Sequence, residues 1–122
     1  MAGLSVEDLV EIARRTVGRD MRVRDVGLLS AALARVDARA LGLDVYPDVD
    51  EQAAALLHSL ATTAPLESGN RSFAWVATAV YLTRRGRPTT LTDEQAVDLV
   101  TDVLTGRLES VAAIAERLRP PA

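Results

Sequence analysis

The sequence predicts an all-α fold of about six helices packed around a central buried helix. Three observations carry this reading. From Phe73 to Leu82 nine of ten residues are apolar, with Thr78 the exception. A surface helix shows one apolar stripe, so a helix that is apolar all round has to be enclosed by others. Elsewhere apolar residues recur at helical spacing between Ser, Thr or Asp starts and Gly or Pro stops. No segment reads convincingly as a strand. At 122 residues and 48% apolar, the chain is expected to form one domain, 1–122, with a single core.

Ser5 opens the first helix, and Ser5-Val6-Glu7-Asp8 is a near capping box with Asp at the third helical position. Leu9, Val10, Ile12, Ala13 and Val17 share its apolar face, and Gly18 ends it. Residues 19–24 read as a loop carrying several arginines, either solvated or offered to phosphate. Asp25 caps a second helix over 26–38, with Leu28, Leu29, Ala32, Leu33 and Val36 facing inward. Gly42 and Pro47 argue against helix in the next stretch, which is either a plain connection or a short hairpin or flap near 41–48. Asp48 or Asp50 caps a third helix over about 51–62.

The central helix is expected over 70–83. Gly86 then supplies a C′ glycine and Pro88 prevents continuation, so Arg84, Arg85 and Arg87 are assigned to capping and solvation. Thr92-Asp93-Glu94-Gln95 is a capping box that opens a helix to about Thr105, stopped by Gly106. Ser110 caps a last helix carrying Val111, Ala112, Ile114, Ala115 and Leu118, and Pro120 and Pro121 close the fold.

Composition narrows the chemistry. There is no cysteine, which excludes disulfides, thiolate catalysis and cysteine metal sites. One histidine makes a histidine-based zinc site a poor reading. All fourteen basic residues are Arg, which excludes a phosphate loop ending in Gly-Lys-Ser/Thr and any Schiff-base lysine. A net charge of −3 does not favour nucleic acid. No signal pattern opens the chain and no apolar run reaches the roughly 18 residues of a membrane span. The expectation is a cytoplasmic bacterial protein.

The start of the central helix carries the most chemical information. Pro65 punctuates the preceding loop, Gly69 permits a turn that a Cβ obstructs, and Asn70 is a good N-cap residue. Such a start aims backbone N–H groups at one point with the positive end of the helix dipole behind them. This is an anion site, most often for phosphate, with Gly69, Asn70 and Arg71 as the candidate residues. The plainer reading is a capped helix and nothing more.

The stretch Ala64-Pro65-Leu66-Glu67-Ser68-Gly69-Asn70-Arg71-Ser72 resembles the motif of the Fic/Doc family. That motif runs His-Pro-Phe, any residue, Asp or Glu, Gly-Asn, then Gly-Arg in Fic or Lys-Arg in Doc. Gly27-Leu28-Leu29, the run Ala53 to Leu60, Phe73-Ala74-Trp75 and the pattern from Ala96 to Arg119 sit at the offsets of Doc-type proteins, so the resemblance spans nearly the whole chain. It implies transfer of a phosphate or AMP group from ATP, with Mg²⁺, to a hydroxyl of a target protein. For Doc the target is translation factor Tu, and the partner is a Phd-like antitoxin whose C-terminal helix lies in a groove. It also implies a target-positioning flap before the motif helices, where Leu41 to Asp48 correspond by position.

Carried over residue by residue, the resemblance implies lost chemistry. The proton-taking His position is Ala64, the metal-holding acidic position is Ser68 and the final Arg position is Ser72. Gly69 and Asn70 match, Arg71 keeps the charge of the Doc Lys, and Leu66 replaces the Phe anchor. Glu67 is a weak substitute for the metal ligand. His58, six residues before Ala64, either packs locally or substitutes as base. Three functions follow: a Doc-like protein that has lost catalysis and binds an antitoxin-type or other protein helix, an active transferase with an altered site, or a helical adaptor.

Overall fold

A computed structural model describes residues 3–121. Its order is α1 (Val6–Val17), α2 (Val26–Val36), β1 (Arg39–Ala40), β2 (Leu43–Asp44), α3 (Val49–Thr63), α4 (Asn70–Arg84), α5 (Asp93–Leu104) and α6 (Val111–Leu118). The all-α expectation holds: six helices, with one two-stranded hairpin between α2 and α3 among the described residues.

The helix starts follow from side chains that take up the first free amides. Ser5 and Asp8 close a reciprocal box on α1, and Thr92 and Gln95 do the same on α5. Asp25, Asp48 and Ser110 cap α2, α3 and α6. Of the two candidates for α3, Asp48 is the cap, so the helix begins two residues earlier than expected. At the end of α4, Gly86 adopts φ 76°. Its N–H donates to Thr83 O at 3.0 Å and that of Arg87 to Leu82 O at 2.9 Å, a Schellman closure.

The helix enclosed on every side is α3. Ala53 through Leu57 are buried without a break, followed by Ser59, Leu60 and Ala61. Alanine makes this workable, because it lets α2, α4, α5 and α6 all approach the same helix. The Phe73–Leu82 helix is central too, but it is not enclosed all round. Phe73, Ala74, Ala77, Thr78, Tyr81 and Leu82 are buried, while Trp75, Val76, Ala79 and Val80 are only half-buried. Thr78, the one polar residue of the run, donates to Ala74 O at 2.8 Å and so buries no unpaired hydroxyl.

Two further corrections concern loops. The hairpin lies at 39–44 rather than 41–48, turning at Leu41 (φ 54°) and Gly42 (φ 79°), both left-handed as a type I′ turn requires. The arginines at the end of α4 do more than cap: Arg85 is the C-cap and Arg84 is exposed, as expected, but their side chains are also ties. Arg84 donates to Asp8 at 3.0 Å, Arg85 to Gln52 and the Tyr81 hydroxyl, and Arg87 to Asp50 and the Leu118 carbonyl. They join the end of α4 to α1, α3 and α6. Among the described residues no helix is long and apolar enough to cross a membrane.

Candidate functional site

The loop between α3 and α4 is held from three directions. First, Ala64 ends α3 in the left-handed region at φ 50°. Arg24 fixes that end: its Nε donates to Ala64 O at 2.9 Å and its Nη2 to Thr63 O at 2.6 Å. The guanidinium thus takes up terminal carbonyls that the helix leaves open. Second, the backbone of 22–25 runs beside the loop. Arg24 and Asp25 N–H both donate to Pro65 O, Glu67 N–H donates to Arg22 O at 3.0 Å, and Val23 and Leu66 form an antiparallel bridge. Third, Leu66 is 1% exposed and anchors the loop by burial, as expected for the residue in the Phe position. The arginine loop 19–24 is therefore a brace for the motif loop, a role that its sequence did not indicate.

Asn70 is not the N-cap. The cap is Gly69 at φ 78°, and Asn70 is the first residue of α4. Its side chain turns back, where Oδ1 accepts from Leu66 N–H and Nδ2 donates to Leu66 O, each at 2.9 Å. Gly69 is required twice over. Its φ favours glycine, and an added Cβ would lie 2.6 Å from Val17 Cγ2 at the end of α1.

With Asn70 so engaged, no side chain caps α4. The ladder begins with Phe73 N–H on Gly69 O at 3.0 Å. The amides before Phe73 therefore start the helix without a ladder partner, with the positive dipole end behind them. Arg71 and Ser72 are exposed on this first turn. They border a cavity of about 290 Å³ between α4 and α5, whose walls include Trp75, Val76, Val97 and Val100, with Asp93 at the rim. The apolar surface continues along α4 through Ala79 and Val80 to Thr83 and Arg84. On the α1 side, Val76 and Val80 meet Ile12 and Thr16.

The other candidate residues fall as follows. Ala64 is half-buried, and Glu67, Ser68 and Ser72 are exposed. Ser68 is a neutral lone oxygen, a poor ligand for a hard cation. Among the described residues no three of His, Cys, Asp and Glu come together where they could hold a metal ion. At the family's acidic position the chain thus offers a hydroxyl in place of a carboxylate. His58 is drawn to α2: its Nδ1 lies 2.9 Å from Arg35 Nη1, which also reaches Ser59 Oγ at 3.1 Å. Burial, and then the Arg35 charge, hold the imidazole below its ordinary 6.5.

Comparison with known proteins agrees with the motif. The Fic/DOC family model matches residues 3–82, from the start of α1 to near the end of α4. A protein of Mycolicibacterium smegmatis named Toxin Doc is 39% identical over 114 residues, covering 90% of this chain and 88% of that protein. At 90% of the chain, the match therefore runs beyond the segment that the family model describes and takes in α5. These two likenesses agree: the chain belongs to the Fic/Doc family.

Proposed function

We propose that this chain is a Doc-like protein of a toxin–antitoxin type that has lost transfer chemistry and works by binding. One observation carries the reading. The motif loop is firmly braced, while the three positions that would do chemistry hold Ala64, Ser68 and Ser72. General-base assistance alone is worth roughly 10²–10⁴ in rate. Phosphoryl transfer rests almost wholly on positioning and charge neutralisation. Loss of base, metal ligand and second cation together leaves little of either.

What remains suits an anion and a helix. The uncapped amides of α4 with Arg71 beside them support phosphate binding at Gly69, Asn70 and Arg71, with Asn70 contributing backbone while its side chain holds Leu66. The half-buried face of Trp75, Val76, Ala79 and Val80 between α1 and α5 supports docking of an amphipathic helix. A relative named Toxin Doc makes an antitoxin segment the favoured occupant.

The test is transfer of label from ATP, with Mg²⁺, to proteins of a bacterial lysate. The native chain is compared with Ala64→His/Ser68→Asp/Ser72→Arg. Label with the restored variant alone supports a scaffold whose chemistry has been lost. Label with the native chain overturns the reading. For the groove, Val80→Asp is expected to abolish co-purification of a co-expressed Phd-like antitoxin without lowering the melting temperature.

A further inference from the structure

The hairpin between α2 and α3 is attached to the body at one residue. Every residue from 39 to 45 is exposed, and Leu41 at the tip is 101% exposed. Tyr46, at its exit, is half-buried. The hairpin's own bonds, the short ladder, Arg39 with Asp44, and Val45 N–H on Ala38 O, hold it together but not down.

Tyr46 is held by two groups. Gln52 Nε2 donates to its carbonyl at 3.0 Å, and Arg35 Nε donates to its hydroxyl at 3.2 Å. The Arg35 guanidinium also lies 5.8 Å from the Tyr46 ring centre. What orients Arg35 is α3, through His58 Nδ1 and Ser59 Oγ. A guanidinium has donors only, so the close Nδ1 has to be the unprotonated nitrogen of a neutral imidazole. A proton added at Nδ1 would face a donor with a donor and set two cations 2.9 Å apart.

Among the described residues, burial and Arg35 are the influences that act on the His58 ring. From α2, Arg35 is the charged group acting on it, and burial is the larger influence. From α4, Tyr81 and Arg85 reach Gln52 rather than His58, and Asp37 acts on Tyr81. Thr62, one turn along α3, bonds the His58 carbonyl and leaves the ring alone. No carboxylate is among the influences on the imidazole that would favour its cation.

We propose that Arg35 and His58 form a proton-operated latch for the hairpin: neutral His58 holds Arg35 on the Tyr46 ring and hydroxyl, and protonation of His58 releases that side chain, leaving only the Gln52 bond to the Tyr46 carbonyl and loosening residues 39–45. The exposed apolar residues of the hairpin and its exit, Leu41, Leu43 and Val45, then reorient in acid and are fixed at neutral pH. The latch is independent of the α4 anion site and of the groove, so it stands or falls apart from the binding role.

The test is made by NMR on the full chain, through the range of about pH 8 to about pH 5 where histidine titrates. His58 is the only histidine, so its ring signals need no assignment. Exchange protection of the Val45 amide, corrected for intrinsic rates, is followed in parallel. Protection is expected to fall with the imidazole titration. By linkage the limit of that fall is about tenfold for each unit by which the latch depresses the imidazole. In His58→Gln, whose amide oxygen accepts from Arg35 at any pH, protection is expected to stay flat. Tyr46→Phe is expected to leave the hairpin poorly protected throughout. A titrating imidazole with unchanged Val45 protection overturns the latch. So does the same pH response in His58→Gln, or, should that variant fail to fold, a wild-type midpoint that differs from the ring titration.

Discussion

The Asn70 side chain forms a closed pair of hydrogen bonds with the backbone of Leu66, one accepted and one donated, each at 2.9 Å. The first residue of α4 therefore sets the shape of the loop before it, and the helix start is left free of any side-chain cap.

Asn70→Ala removes both bonds and leaves the backbone of a buried residue unpaired. Stability is expected to fall by about 2 kcal/mol, since each unmade buried partner costs about 1–3 kcal/mol. Asn70→Asp keeps the acceptor but sets a carboxylate oxygen against the Leu66 carbonyl, and is expected to fall as far or further. Urea unfolding of the three proteins checks both.

Gly69 and Val17 are coupled by contact. Gly69→Ala forces a Cβ against the Val17 methyls and into an unfavourable φ, so a loss of about 1–3 kcal/mol is expected. In the background of Val17→Ala, which removes those methyls, the loss is expected to shrink to the backbone part alone. A double-mutant cycle by thermal denaturation measures the difference, and an interaction energy of zero would refute the packing role.

Ala64 sits in the left-handed region without being Gly. Ala64→Gly relieves a cost of about 1–2 kcal/mol while adding unfolded-state freedom, so a net gain of up to about 1 kcal/mol is expected. Ala64→His is expected to leave the melting temperature within a few degrees, because histidine is enriched at such positions. A marked loss on Ala64→His would mean that the loop no longer accommodates the family residue.

Asp8 gives stability a dependence on acid. The Ser5 N–H and then Arg84 hold its carboxyl below the ordinary 3.8. A carboxylate whose folded value is depressed contributes stability that is present above the unfolded value and lost as pH falls through the folded one. The contribution is therefore full at neutral pH and disappears below 3.8. Asp8→Asn is expected to lower the melting temperature at neutral pH and to flatten its fall in acid, as read in melting temperatures taken on either side of that value.

The capped helix starts were legible because each is a local contract between a side chain and amides within three residues: Ser5 with Asp8, Thr92 with Gln95, Asp25, Asp48, Ser110. The motif loop was legible through Pro65, Gly69 and Asn70. Its brace was not, since Arg24 reaches carbonyls 39 and 40 residues away and an arginine looks the same before a phosphate, a carboxylate or a helix end. Asn70 was read as a cap because Asn favours caps; the loop backbone at Leu66, four residues back, took its side chain instead. The groove was hidden by uniformity. When nine of ten residues are apolar, sequence cannot say that Trp75, Val76, Ala79 and Val80 form the open side. The hairpin was placed two residues late because strands of two residues carry no alternation, and Leu41-Gly42 lacks the Asn-Gly signature of its turn.

The half-buried face of α4 contains the chain's single tryptophan, Trp75. Its indole fluorescence is therefore a built-in reporter of that one surface. A helix laid over Trp75 would shield the ring from water and move its emission to the blue, whereas unfolding would move it to the red. Occupancy and denaturation can be told apart in one cuvette, without dye, tag or cysteine.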